Sequence, residues 1–428
     1  MKMKKVLLFP SGTEIAFEIV NALKYSKFVE LYGATSIEDH SQYVYKRLFN
    51  NVPFITENTF LDRLNEIVTE QKIDCIFPAH DAVSLFLSQH REDIKTEIIC
   101  TDFDTVKICR SKELTYQFFK AELFVPKIFK KIADVEYYPV FVKPKIGEGS
   151  KGTALISNKQ QLVEMVDNKD EYLICEYLPG QEYTIDCFTD KNKNLRIVKM
   201  RERERLRLGI SVRSTIKLLD GKVEQIANIL NARLSFRGAW FFQVKKDIKG
   251  NYKLLEISPR IPGTMGVSRN CGINFPMLTL FDYWGYDVKF IDNNYKITGD
   301  RAFYSAYKLD INYTHIYLDY DDTLIIGNKV NEQLMFFLYQ ALNYGKKIYL
   351  LSRHSGNLNE NMRLHKISPD IFEGIFILKD GESKSHFIKN KDAIFIDDSF
   401  SERFEVYTSL GIPVFDLDMV ESLIDWRR

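Results

Sequence analysis

Asp319 and Asp321 stand two residues apart at the end of the apolar stretch IYLDYDDTL, from Ile316 to Leu324. An apolar strand cannot keep two charges inside itself, so both carboxylates are expected in the loop at its carboxyl end, where open α/β sheets place their ligand sites. Three further pieces follow: Ser352 ends the run KKIYLLS, Lys384 lies in LKDGESKSHF, and Asp397 with Asp398 ends AIFIDD. A carboxylate can attack phosphorus in line and form an aspartyl phosphate when a divalent cation neutralises the approaching charges, so the set points to metal-dependent phosphoryl chemistry. Read singly, the pieces are an acidic turn from Asp319 to Thr323 and a helix N-cap at Asp398 and Ser399. Together, three of them at strand ends, they favour a site.

This constellation resembles the haloacid dehalogenase-like (HAD) phosphohydrolases. The resemblance implies Asp319 as nucleophile, Asp321 as general acid and then base, Ser352 as a hydrogen-bond partner of the phosphoryl oxygens, and Lys384 as their counter-charge. It also implies Mg²⁺ held directly by Asp398 and supported by Asp397, in a carboxylate set that includes Asp319 and Asp321. Asp322 stands where many relatives carry Gly. About thirty residues separate Asp319 from Ser352, and Ser352 from Lys384, which one or two βα units consume. No room remains for a cap domain, so an open site is expected, suited to a large phosphorylated substrate or to closure by the other half of the chain.

A second segment, YPVFVKPKIGEGSKGTALIS from Tyr137 to Ser157, contains G-x-G-x-x-G at Gly147, Gly149 and Gly152, with Ser150 between them. A dinucleotide-binding loop leads into a helix, whereas TALIS reads as a strand, so a flexible hairpin is expected. Its backbone amides could cover nucleotide phosphates, and Lys143, kept extended by Pro144, could reach them as a point charge. The plain alternative is a Gly-rich hairpin with surface lysines. Farther on, Glu176 ends a strand, Tyr177 and Leu178 form a short connection, and Glu182 follows Pro179 and Gly180. WFFQVKKDIKGNYKLLEISPRIPG then reads as two strands turning at Lys249, Gly250 and Asn251. Glu256 and Ser258 share one face of the second strand and Gln243 can lie opposite, a reasonable set of oxygen ligands for Mg²⁺ completed by phosphates, with Arg260 as a bidentate phosphate contact.

From Met1 to about residue 290 the chain is similar to the ATP-grasp superfamily, in particular to carbamoyl-phosphate synthase-like and amino-acid ligase members. The resemblance implies that Lys112 and Lys143 bind ATP phosphates under a lid formed by Gly147–Gly152. It implies adenine held by Glu176 and the backbone of Tyr177 and Leu178, ribose by Glu182, and Mg²⁺ by Glu256 and Ser258 with Gln243. The family usually has Asn where Ser258 stands. In such ligases the γ-phosphoryl group passes to a carboxylate, and the acyl phosphate formed must be shielded from water before an amine attacks. RERERLRLGISVRS, from Arg201 to Ser214, reads foremost as a solvated strand of alternating charge, and otherwise as a source of cations for an acidic substrate. Arg233 and Arg237 read as helix-end and surface charges.

The elements that must position these groups follow the same logic. KKVLLFP, SGTEIAFEIVNALKY and VELYGAT alternate strand, helix and strand, with Ser11 and Gly12 at the helix mouth, which argues a parallel sheet. DCIFPAHDAVSLFLSQH repeats the arrangement and puts His80 and Asp81 at a strand end, as turn and cap residues or near substrate. The chain's 428 residues, 45% hydrophobic, allow two or three domains with real cores. A net charge of +1 gives no pull toward nucleic acid or membrane, and no apolar segment reaches spanning length. The amino-terminal apolar run is too short for a secretory signal. Six cysteines without a C-x-x-C pair suggest buried free thiols in a reducing cytoplasm.

The expected architecture is thus an α/β and α+β multidomain chain. A parallel α/β pre-ATP-grasp domain spans 1–108, the ATP-grasp region 109–290, an ordered connection 291–312, and a Rossmann-like capless HAD domain 313–428. The expected function is an ATP- and Mg²⁺-dependent (alternatively Mn²⁺) carboxylate–amine ligase with a second phosphomonoesterase site, acting on small molecules, with homo-oligomerisation left open. Two phosphate-handling sites on one polypeptide suggest that they act in sequence. The alternatives are an ATP-regulated phosphatase, a small-molecule kinase/phosphatase, and an interaction protein with both sites degenerate.

Overall fold

A computed structural model of the 428-residue chain describes every residue except 1, 148, 167–170, 208, 294, 303–306, 308 and 428. The chain divides into two compact units, Met1–Phe303 and Tyr304–Arg427.

The first unit opens with five parallel strands in the order Leu48–Phe49, Val29–Ala34, Lys4–Phe9, Cys75–Pro78 and Glu97–Ile98. Strand order reverses between Lys4–Phe9 and Cys75–Pro78, which opens a crevice at their carboxyl ends. Two helices begin at that crevice. Thr13 caps Glu14–Leu23, its Oγ1 accepting from Ala16 N at 3.1 Å, and His80 Nδ1 caps Asp81–Gln89 at 3.2 Å from Ala82 N. Ser11, two residues before the Thr13 cap, is buried and donates to Ser41 Oγ at 2.8 Å.

Two antiparallel sheets follow. The smaller has the order Ile128–Phe129, Tyr172–Glu176, Val140–Pro144, Ala154–Ile156. The G-x-G-x-x-G segment joins its last two strands, because the β-branched and aliphatic residues after Gly152 continue as strand; Glu148 of this loop lies outside the described residues. The larger sheet has the order Tyr252–Ser258, Gly238–Lys246, Glu182–Thr189, Leu195–Arg207, Ile210–Lys217, Thr298–Asp300. Its last strand comes from the segment expected to be a connection, 291–312, part of which lies outside the described residues.

Val223, Ile226, Ala227 and Leu230, on one face of the helix Gly221–Arg233, pack on Trp240, Phe242 and Leu254 of the larger sheet. Burying each of Val223, Ile226 and Leu230 contributes about 1.5–3 kcal/mol. Phe275 and Leu278 of the helix Phe275–Tyr283 join Ala16, Ile19 and Val20 of the first helix and Val6 and Leu8 of the first sheet in one core. Close packing there seats the crevice of the parallel sheet against the larger antiparallel sheet.

The second unit is a parallel sheet in the order Gly374–Ile377, Lys347–Ser352, His315–Leu318, Ala393–Ile396, Val414–Phe415. Ile316, Leu318, Ile394 and Ile396 are wholly buried, as continuous apolar strands must be when helices cover both faces. Strand order reverses between His315–Leu318 and Ala393–Ile396, so Asp319 and Asp397 flank the switch point. From Asp319 to Lys384 the chain forms a short hairpin (Ile325–Ile326 with Lys329–Val330), the helices Glu332–Asn343 and Leu358–Leu364, a single 3₁₀ turn, and two sheet strands. No further domain is inserted there. The six cysteines are free and buried. Among the described residues no helix is long and apolar enough to cross a membrane.

Candidate functional site

In the first unit a narrow cavity of about 170 Å³ adjoins a wider cleft of about 400 Å³. Both are lined by Lys112, Gly147, Gly149, Arg203, Gln243 and Glu256, so these residues mark their junction. Lys143, Ser150, Glu176, Tyr177, Leu178 and Glu182 line the narrow cavity alone; Ser258 and Arg260 line the wider cleft alone; Gly152 lines neither.

Lys143 rides on the strand Val140–Pro144 with its Nζ 2.5 Å from Tyr116 Oη and 3.4 Å from Leu255 O. Burial holds its ammonium below the usual lysine range and pushes the Tyr116 phenol well up. A buried cation whose hydrogen bonds go to neutral oxygens is stabilised by an incoming anion. Lys112 opens the helix Lys112–Phe118, donates to Gly147 O at 2.8 Å and lies 3.6 Å from Glu256 Oε2, which ties the glycine loop to the strand carrying Glu256. That loop also rests on Gly209, where φ is +73° and a Cβ would fall 2.4 Å from Ser150 Oγ and 2.5 Å from Gly149 C. Only glycine permits so close an approach in a left-handed conformation.

Gln243 and Glu256 face each other in the antiparallel register. Glu182 lies 3.1 Å from Arg203 Nε and 3.8 Å from Lys245 Nζ. Glu176 accepts from Lys127 N at 2.8 Å. Ser258 and Arg260 both bond Asp81. Ser258, expected among the metal ligands, donates its hydroxyl to Asp81 Oδ1 at 2.8 Å. Arg260, expected to contact phosphate with both arms, donates to Asp81 at 2.9 and 2.7 Å. Burial would raise Asp81, but Arg260 and the Ser258 hydroxyl outweigh it and hold the carboxyl well below the usual range. Asp81 is therefore an anchor for Arg260, a partnership spanning 179 residues that no local sequence signal carries.

The strand Leu195–Arg207 departs from the solvated reading. Arg201 and Arg203 are buried and line the wider cleft, whereas Glu204 and Arg205 stay exposed or half-exposed. Arg201 makes two bonds to Asp186, 2.9 and 3.1 Å, with both side chains 1% exposed, and a third to Thr264 Oγ1 at 2.7 Å. Removing one partner of such a pair leaves a buried charge uncompensated. Asp186→Asn is expected to cost about 3–5 kcal/mol in denaturant unfolding, and a midpoint equal to wild type would exclude this account. Arg237, read as a surface charge, holds buried Asp282 at 2.9 Å.

In the second unit Asp319, Asp397 and Asp398 bring carboxylate oxygens within 4.8 Å of one another, the single such acidic group among the described residues. Lys384, at the start of the 3₁₀ turn Lys384–Phe387, reaches Asp397 at 2.6 Å and Asp319 Oδ1 at 3.0 Å. That Oδ1 is buried and ion-paired with the Lys384 ammonium. Burial, more than Lys384 can offset, pushes Asp319 up to about 7 and raises Asp397. Burial would lower Lys384, but the two carboxylates raise it. Ser352 is wholly buried at the end of its strand, its Oγ accepting from His354 N at 3.1 Å.

Asp321 stands apart from the acidic group. Half-exposed, it is held by His354 Nδ1 at 2.9 Å, so its side chain does not join the metal set it was expected in. Asp322 takes φ +55°, a left-handed conformation that glycine adopts freely and Asp tolerates. Thr323, which the sequence marks only as the end of an acidic turn, accepts from Asp398 N at 3.1 Å and donates to Asp398 Oδ1 at 3.0 Å. Sequence reasoning passed over His354, although it lies two residues beyond Ser352.

The first unit contains an ATP-grasp fold. A family model described as "ATP-grasp in the biosynthetic pathway with Ter operon" matches residues 168–297. The biotin carboxylase domain of the Hydrogenobacter thermophilus 2-oxoglutarate carboxylase, in complex with Mg-ADP, ADP and bicarbonate, is similar with a TM-score of 0.57 and 17% identity, over 68% of this chain and 72% of that one. N5-carboxyaminoimidazole synthetase from Staphylococcus aureus, complexed with ADP, is similar with a TM-score of 0.56 and 17% identity, over 68% and 79%. A D-alanine–D-alanine ligase of Fusobacterium nucleatum subsp. nucleatum is 33% identical over 60 residues, 14% of this chain and 21% of the ligase. The match thus spans about a fifth of that relative's length.

Proposed function

We propose that the first unit is an ATP- and Mg²⁺-dependent ligase that joins a carboxylate to an amine or related nucleophile through an acyl phosphate. The second unit, in the same proposal, is a HAD-type phosphomonoesterase. The observation that carries the first part is the meeting of two cavities at Gln243 and Glu256, because phosphoryl transfer needs donor and acceptor in line at one point. Adenine would lie toward Glu176, Tyr177 and Leu178, and ribose toward Glu182. Lys143 and Lys112 would meet the phosphates, and the Gly147–Gly152 loop, with Ser150, would exclude water from the acyl phosphate. The donor set fits Mg²⁺ at Gln243 and Glu256, and at the converging carboxylates of Asp319, Asp397 and Asp398. When bound, Mg²⁺ or Mn²⁺ neutralises charge between anionic donor and acceptor.

The second part rests on the convergence of Asp319, Lys384 and Asp397 at the switch point. An Asp319 oxygen attacks phosphorus as the ester P–O bond breaks, and Asp321 protonates the departing alkoxide. Asp321, steadied by His354, then takes a proton from the water that attacks the aspartyl phosphate. Ser352 and Lys384 hold the phosphoryl oxygens.

Incubating the full chain with ATP, Mg²⁺, hydroxylamine and pooled amino and hydroxy acids tests the ligase. Hydroxamates together with ADP are expected. AMP in place of ADP would indicate adenylation, and ATP binding without either product would indicate a nucleotide-sensing role.

A further inference from the structure

The wider cleft is lined by seven lysines and arginines and three carboxylates, and two further carboxylates, Asp186 and Glu182, pair with Arg201 and Arg203 from outside its lining. Four of the cations have an acidic partner: Arg260 has Asp81, Lys112 has Glu256, Arg203 has Glu182, and Arg201 has Asp186. Arg301 differs. It follows the edge strand Thr298–Asp300, its backbone N–H bonded to Val212 O at 2.7 Å. Its Nη1 is buried and has no hydrogen-bond partner among the described residues. Glu18, the acid its charge reaches, is already bonded by Arg269 at 2.8 Å. A buried guanidinium N–H left unbonded is unfavourable, and an anionic ligand is the group that satisfies it.

Arg301 and Arg201 line only the wider cleft, not the narrow cavity. The same part of the cleft receives the first turn of the helix Glu14–Leu23, which begins at the switch point of the parallel sheet. Its amide dipoles favour negative charge, and although Glu14 shares this wall, cations remain in excess. Arg201 is fixed by Asp186 and Thr264, so it offers a preorganised surface at little entropic cost.

We propose that the acceptor carries two anionic groups: the carboxylate activated at the Gln243–Glu256 junction, and a second, carboxylate or phosphoryl, bound by Arg301 and Arg201 in the wider cleft. The first anion rests on the ligase reading; the second-anion site stands on the cleft itself. The acceptor class is therefore a dicarboxylic acid or a phosphorylated carboxylic acid. With the latter, ligation leaves a phosphomonoester for a phosphatase to open.

Thermal melting of the full chain, saturated with Mg-ADP, tests the site without turnover. Inorganic phosphate or malonate at millimolar concentration is expected to raise Tm by roughly 3 °C or more, and acetate is not. Whichever of the two is effective identifies the second group. Arg301→Gln should abolish the shift, while Arg205→Gln, which removes an equal charge from an exposed ion pair, should keep it. A shift that survives Arg301→Gln, or one that acetate matches, overturns the proposal.

In the hydroxamate assay Arg301→Gln should raise KM for the doubly anionic acceptor by ~10-fold or more with little change in kcat. Hydroxamates formed from monoanionic acids with the same kcat/KM in both proteins would discard the second anion and leave the ligase standing. An Arg301-dependent shift without any ADP formation would keep the site and discard the ligase.

Discussion

Asp319→Asn is expected to lower phosphomonoester hydrolysis by at least ~10³-fold, the order lost when the attacking group of a covalent mechanism is removed. ADP formation with an acceptor and ATP should persist, since Asp319 belongs to the second unit and the two cavities to the first. A variant that hydrolyses p-nitrophenyl phosphate at the wild-type rate would eliminate Asp319 as nucleophile. If it also made the same final product at the same rate, the two units would not act in sequence.

The substitution has a second, pH-linked signature in chelator. Burial lifts the Asp319 carboxyl to about 7 from an ordinary 3.8. Between those values the folded protein keeps a proton that the unfolded chain has lost, so stability falls as pH rises through that window and levels off above it. Asp397, raised in the same direction, adds to the slope. Asp319→Asn should therefore lose less Tm than wild type between pH 5 and pH 8. Equal slopes in the two proteins would show that Asp319 is not the group titrating. Since the metal requires the carboxylate ionised, apparent Mg²⁺ affinity should rise over the same window.

Lys143→Ala should reduce ADP formation by ~10²–10³-fold, the cost of removing one preorganised charge-stabilising group. The reason is its setting. Lys143 is buried, its nearest partners are the Tyr116 hydroxyl and a backbone carbonyl, and it lines the narrow cavity with the glycine loop. Because the ammonium is desolvated without a bonded carboxylate, the variant should unfold at an equal or higher denaturant midpoint, a trade of function for stability. Undiminished ADP formation would remove Lys143 from the phosphate site. Phosphatase activity in this variant separates the two readings: a ligase loses ADP formation and keeps phosphatase activity, whereas an ATP-regulated phosphatase loses phosphatase activity.

The sequence by itself determined what depends on short-range pattern. Alternating apolar strands and amphipathic helices dictated the first parallel sheet, and β-branched and aliphatic residues after Gly152 argued against a dinucleotide loop. Carboxylates cannot lie inside apolar strands, and that rule alone is enough to put Asp319 and Asp397 at strand ends. Period-two alternation likewise brought Gln243 opposite Glu256.

Tertiary structure alone decided which charges meet. The partner of Arg260 lies 179 residues away and that of Arg269 lies 251 residues away. No local spacing encodes such pairs, so strand periodicity sends Ser258 and Arg260 toward phosphate, whereas Asp81 holds them both. Arg201 and Arg203 carry the same alternation as a solvated strand and become cleft residues only because the core built on Phe275 and Ile19 seats the parallel sheet's crevice against that strand's sheet. Side-chain periodicity fixes which residues share a face; what that face meets is set by long-range packing of apolar surface, and with it the electrostatics of the site.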